Sequence, residues 1–321
     1  MRAYRILPSD AVLVMKGEAE STSEGIDQDV EPPFVSVIIP TYHDWERLRG
    51  TLLALEQQSY PCDRLEVIVV NNDPSDKPLA PTELADGWVI VDEGKPGSYA
   101  ARNRGLHLAR GRVVAFTDSD CLPDEHWIER GVSHLRRGAE RVAGRVALFY
   151  GGERLNCVEK YEKACAFPQE RYASEGISVT ANFITWRRHF VDVGFFDDSL
   201  FSGGDTEWGR RASAAGISII YAPDVLVKHP ARNKLSGLLT KRRRLAAAAL
   251  SVKKPVGRRA LLISLIRGVL PPLVHHKALN RREDLSWDEK FAAIVIIYLL
   301  KIYGTWHRIK LLSGFSKPER R

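Results

Sequence analysis

Cysteine is scarce in this 321-residue chain: four occur, at 62, 121, 157 and 165, and no two stand as C-x-x-C. That excludes a disulfide framework and a zinc site, and fits reduced thiols in a cytosolic setting. The opening MRAYRILPSDAVLVM lacks the apolar core and small-residue cleavage site of a secretory signal, so none is expected. Long apolar runs are missing as well. The stretch 291–312 holds only ten uninterrupted apolar residues, where a spanning helix needs roughly 20. There are no internal repeats and no RNA-binding signatures, and the basic stretches carry little aromatic interleaving, so nucleic acid is not expected as a partner.

What is present is enough apolar sequence for one large domain or two small ones, at 44% hydrophobic. The net charge of +7 hides an asymmetry. From Lys228 onward there are 22 Lys+Arg against 5 Asp+Glu, whereas the preceding part is net acidic. Residues 1–33 are polar and read as a mobile arm. The region 231–321 reads as basic, interrupted helices. Such a tail suits an anionic membrane surface in an interfacial position, with Tyr298, Tyr303 and Trp306 at the boundary. The alternative is a helical subdomain packed on the core or on a second copy, which leaves a homo-oligomer open.

Between these parts the pattern alternates. FVSVIIPTY (34–42) reads as a buried strand, 45–58 as a helix with Asp44 as N-cap, and 65–73 and 87–94 as strands. The segment 98–111 reads as a helix closed by Gly111, and 112–120 as a fourth strand. Beyond these, a strand is expected at 141–150 and a helix at 153–166. A strand and a helix follow over 178–194, then a helix over 205–216. The last piece, 217–229, is extended with a break at Pro223. Alternation of this kind predicts an α/β fold, a mostly parallel sheet with flanking helices, whose ligands bind beyond the carboxyl ends of the strands. Tyr42, the run 71–73 and the run 118–120 all close strands, so they share one sheet edge.

Asp118 and Asp120 stand two apart at the end of an apolar run, which in extended chain puts both side chains on one side. Carboxylates that close raise each other's pKa unless a cation neutralises them. Mg2+ or Mn2+ does so, completing its shell with water and diphosphate oxygens. Alone, the triplet also reads as a solvated turn.

Five segments occur in order: VSVIIPTY, VIVVNND, GKPGSYAARNRGL, FTDSDC and GGDTEWGRR. Together they resemble a family 2 inverting glycosyltransferase of the GT-A fold, over residues 34–230. The resemblance implies that Pro40, Thr41, Tyr42 and Asp73 hold the nucleobase and ribose of a sugar nucleotide. Arg102 and Asn103 match the helix under the nucleotide, where a guanidinium suits a diphosphate. Asp118 and Ser119 match nucleotide-sugar contacts, and Asp120 matches the direct metal ligand, with Asp118 beside it. His229 matches a third metal ligand in some relatives, although a lone histidine also reads as structural. In the last segment Gly204 replaces a glutamate common in the family, leaving Asp205 as the expected base, with Glu207 second. Asp205 also reads as a helix N-cap, and Trp208 as either a sugar platform or core.

The expected reaction is metal-dependent transfer from a nucleoside-diphosphate sugar, UDP-linked by preference, to a glycan or lipid-linked hydroxyl. The setting is cell-surface polysaccharide synthesis at the cytoplasmic face of a membrane, with the enzyme peripheral. The runner-up is a catalytically inactive scaffold of polysaccharide assembly.

Overall fold

The computed structural model describes residues 31–78, 84–251, 263 and 266–312. Residues 1–30 of the expected arm, and 252–262, 264–265 and 313–321 of the tail, lie outside the described residues. The chain divides into two compact units. Among the described residues, one holds those up to Ala147, Gln169–Ser199 and Gly204–His229, and the other holds Leu148–Pro168, Leu200–Gly203 and those from Pro230 onward. The sequence boundary at 230 put Leu148–Pro168 in the larger domain, but that segment folds with the C-terminal helices.

The strands, which belong to the first unit except for the last residues of β6 and β8, are β1 (Val35–Thr41), β2 (Leu65–Asn71), β3 (Val89–Asp92), β4 (Val113–Phe116), β5 (Leu122–Pro123), β6 (Arg141–Phe149), β7 (Phe183–Trp186) and β8 (Ile219–Pro230). The sheet order is β3-β2-β1-β4-β7-β6-β8-β5. The first four run parallel, with Val35 opposite both Leu65 and Val113. β7 is antiparallel to β4 and β6, and β5 to β8. The parallel strands are rich in valine and isoleucine, and β1, β2 and β4 are almost wholly closed to solvent, whereas β3 at the sheet edge is partly exposed. Burial on both faces explains why they read as continuous apolar runs.

Helices α1 (Trp45–Glu56), α2 (Ser98–Leu108) and α3 (Trp127–Arg136) follow strands as expected, joined later by α5 (Gln169–Ser174), α6 (Arg188–Asp192) and α7 (Gly204–Ala214), with α4 (Cys157–Cys165) between them in the chain. Three expectations are corrected. Asp44 stands at the N-cap position of α1 but its carboxylate makes no cap bond, because Arg47 and Ser119 take it. α2 ends at Leu108, before Gly111. Gly111 serves a close approach instead: a Cβ there would lie 2.6 Å from the Ser36 backbone nitrogen. β8 runs unbroken through Pro223, which is exposed, where a missing N–H costs little.

The second unit packs α4, α8 (Leu235–Ser251), α9 (Leu273–Asn280) and α10 (Trp287–Leu312). One face of α10 is buried: Ala293 and Ile297 join Ala164, Leu279 and Leu285, while Ile296 and Leu300 join Val158 and Leu238. The opposite face exposes Phe291, Val295, Leu299, Ile302, Trp306 and Ile309. By length and composition α10 is able to cross a membrane. Its buried face and the ion pairs Lys160–Asp288 and Lys163–Glu289 instead tie it to α4.

Candidate active site

The site forms where β1, β2 and β4 end. After Phe116 the chain leaves the strand and turns, the Cys121 amide donating to the Asp118 carbonyl at 3.2 Å. The stretch 118–120 is thus a turn and not extended strand, yet its carboxylates still converge. Thr51, buried on α1, fixes the turn: its hydroxyl lies 2.9 Å from the Ser119 carbonyl and 2.7 Å from that of Cys121. Ser119 donates to Asp44 at 2.9 Å.

Ligand atoms of Asp118, Asp120, Cys121 and His229 all lie within 4.8 Å of one another. His229, near the end of β8 and buried, places Nε2 3.6 Å from Asp120 Oδ1. Burial pushes the Asp120 carboxyl up; His229 opposes that and Asp118 adds to it. A cation relieves such a carboxylate. The two carboxylates suit Mg2+ or Mn2+, and the imidazole favours Mn2+ of the two. Cys121 is the exception. Burial first, then the two carboxylates, hold its thiol well above the ordinary value, so it stays protonated and is a poor ligand for a hard ion. Arg47 pairs with Asp120 at 3.2 Å and with Asp44 at 2.7 Å, so a guanidinium stands beside the carboxylate a metal would take.

Arg102 on α2 is buried and donates to Asp118 at 2.5 Å. Its Nε, like the Thr41 hydroxyl, is buried with no hydrogen-bond partner among the described residues. A buried polar group left so costs about 1–3 kcal/mol, which fits a ligand polar group arriving there. Pro40 sits in β1 opposite Val70, and Tyr42 follows, its ring 4.3 Å from that of His43. His43 adopts a left-handed backbone (φ 53°) and meets Asp73 at 2.8 Å. Bonds from Ser75 first, then His43, hold the Asp73 carboxyl at about 2. Asn71 and Asn72 spend their amides on Asp92, Glu93, Lys95 and Gly97, tying β2 to the segment before α2. Asp73 is the partly exposed member of the triplet, its carboxylate held by Ser75 and His43.

Asn103 departs from its expected role. Its amide exchanges bonds with the backbone of Phe196, at 2.9 and 3.1 Å, so it braces that segment. Glu207 also departs: Arg211 holds both its oxygens, at 2.7 and 2.9 Å, and also donates to the Val193 and Phe195 carbonyls. Trp208 is core, 1% exposed and stacked on Phe190. Asp205 lies in the first turn of α7, which begins at Gly204, so it is not the N-cap. Desolvation pushes its carboxyl up, the direction a base working near neutrality needs. Tyr99 donates to it at 3.1 Å. Sequence reasoning missed Arg47, Thr51, Tyr99 and Cys121 as site residues. Only Cys121 carried a local signal, its place beside the Asp118–Asp120 pair.

Clustered acids, a buried guanidinium and a raised carboxylate at the ends of parallel strands suit a cation and a phosphorylated ligand. The glycosyl transferase family 2 description matches residues 36–192. Over 281 residues the chain is 35% identical to glycosyltransferase AglE of Haloferax volcanii, covering 83% of this chain and 91% of that protein. It is 29% identical to the pre-mycofactocin glycosyltransferase of Mycobacterium tuberculosis, over 72% of this chain and 50% of that one. The mannosyltransferase PcManGT from Pyrobaculum calidifontis, solved in complex with GDP-Man and Mn2+, shares the fold. Its TM-score is 0.52 at 21% identity, over 90% of this chain and 91% of that one. The chain belongs to glycosyltransferase family 2 and is a transferase of the GT-A fold.

Proposed function

We propose that the enzyme moves a sugar from a nucleoside-diphosphate sugar to a hydroxyl of a glycan or lipid-linked acceptor, with inversion. The observation that carries this is the convergence of Asp118, Asp120 and His229 within 4.8 Å at the strand edge. Asp120, Asp118 and His229 would hold Mn2+ or Mg2+, which supplies charge neutralisation for the departing diphosphate. Thr41, Tyr42 and Asp73 line the base and ribose, and Arg102 faces the diphosphate. We place UDP first: each Asp73 oxygen already holds a partner, Ser75 or His43, which suits the single N–H of uracil better than the paired donors of guanine.

Asp205 accepts the proton of the acceptor hydroxyl as its oxygen attacks the anomeric carbon. The bond to the diphosphate breaks and its electron pair leaves with that group. The scaffold alternative has less support, because Asp73, Asp118, Asp120 and Asp205 are all present.

The lipid-linked acceptor and the part in cell-surface polysaccharide synthesis rest on the C-terminal unit. Its exposed apolar stripe on α10 and the excess of Lys and Arg from Lys228 onward suit a peripheral position on an anionic, cytoplasmic membrane face. A second copy of the chain is the other occupant open to that stripe.

The test is nucleoside diphosphate release from a panel of UDP- and GDP-sugars with a lipid-linked acceptor, with and without Mn2+. The product anomer is read by NMR. Release from a UDP-sugar only with Mn2+, with inverted product, is expected. A retained anomer, or release indifferent to metal, counts against the mechanism.

A further inference from the structure

Both internal donors to Asp205 converge on one oxygen. The Tyr99 hydroxyl reaches Oδ1 at 3.1 Å and the Thr206 amide reaches the same Oδ1 at 2.8 Å. No hydrogen bond to Oδ2 is found among the described residues. Tyr99 itself is fixed. It is 5% exposed, its ring packs on Phe196, and the Arg102 guanidinium lies 5.6 Å from its centre. On the other side stands Gly204, where a Cβ would come 2.8 Å from the Tyr99 ring carbons. The glycine before Asp205 therefore makes room for the ring whose hydroxyl reaches Asp205. Arg102 in turn donates to Asp118, so a connected series of side chains runs from the acidic cluster to the base.

We propose that Tyr99 is a positioning residue for the reaction: its hydroxyl pins Oδ1 of Asp205 and turns Oδ2 toward the acceptor proton. Tyr99 acts through Asp205 and touches no reacting atom. The inference rests on Asp205 being the base. A carboxylate that accepts an O–H is favoured in its charged form, so Tyr99 also keeps Asp205 ready to accept a proton. Among the described residues, the charged and titratable groups that face Asp205 besides Tyr99 include Arg102 on α2, Asp118 in the turn after β4, Tyr172 on α5, and Arg141 of β6 across the cavity it shares with Asp205. None of them is removed by a change at Tyr99.

The experiment is a 13C NMR titration of the aspartate carboxyls in the full chain, with the Asp205 signal identified by its loss in Asp205→Asn. In Tyr99→Phe the Asp205 midpoint is expected to rise by about one pH unit, while UDP binding in the presence of Mn2+ stays as in the parent. Gly204→Ala crowds the ring while leaving the hydroxyl in the chain, and is expected to raise the same midpoint. An unchanged midpoint in Tyr99→Phe overturns the proposal, and a lowered melting temperature beside it makes Tyr99 a packing residue only. The base assignment is judged separately. If Asp205→Asn still transfers sugar, that reading fails, whatever the titration shows. If Asp205→Asn is inactive and Tyr99→Phe titrates like the parent, only the Tyr99 proposal fails.

Discussion

Arg47 is more than half exposed and competes with any metal for Asp120. An exposed ion pair contributes about 0.2–1 kcal/mol, so Arg47→Ala is expected to tighten Mn2+ binding, without nucleotide, by up to ~5-fold; calorimetry reads this directly. Weaker Mn2+ binding would mean that Arg47 supports the site. Asp205→Asn is expected to lower turnover by ~10^2–10^4-fold while leaving UDP binding intact. The pH dependence follows from the direction of the Asp205 shift. A base must be unprotonated, and desolvation raises this carboxyl, so turnover falls, as pH drops, at a higher pH than an ordinary carboxylate would give. At this scale the sequence was legible where chemistry was local. Asp118, Asp120 and Asp205 stand in short acidic motifs beside strand and helix ends. Tyr99 and Thr51 were hidden because each acts on a partner far along the chain, and nothing in their own neighbourhood marks them.

Helix α2 carries Tyr99 and Arg102, and its height above the sheet is set at Gly105. A Cβ there would fall 2.5 Å from Ile38 Cγ2 on β1. Gly105→Ala is expected to cost about 1–3 kcal/mol and to weaken UDP binding by moving Arg102; denaturant unfolding and calorimetry read the two effects. Helix α6 offers a pH prediction. His189 is buried, next to the Thr185 hydroxyl, and desolvation first, then Arg188, lowers it from 6.5 to about 4. The unfolded chain takes up this proton near its ordinary pKa, whereas the folded protein resists it. Stability is therefore intact above that value and declines as pH falls toward 4, by up to ~3 kcal/mol. Urea unfolding of His189→Phe is expected to lack this component. Strands and helices were legible from period, but their ends were not. Asp44 and Gly111 look like caps in sequence, yet Arg47 one turn along the helix and the distant Ser119 and Ser36 claim them instead.

For the whole molecule, the basic excess and the exposed apolar stripe of α10 fall on the same C-terminal part of the chain. Sedimentation with phosphatidylglycerol vesicles is expected to carry the protein down and phosphatidylcholine vesicles to leave it in solution. Phe291→Glu with Trp306→Glu should abolish the difference, and salt should weaken it. Vesicle-independent self-association lost in the same variant would assign the stripe to a second copy. The sequence showed the basic excess but not the stripe, because alternate faces of α10 are both apolar and only packing on α4 and α8 separates them.

The claim on which the rest depends is that the two aspartates hold a metal for a diphosphate. Thermal melting with UDP, with and without Mn2+, in the parent and in Asp120→Ala, tests it most directly. A ligand bound only by the folded state must raise the melting temperature, here by about 5 °C at saturating concentration. That rise is expected only when UDP and Mn2+ are both present, and is expected to be lost in Asp120→Ala. An equal rise without Mn2+, or one that survives Asp120→Ala, would contradict it.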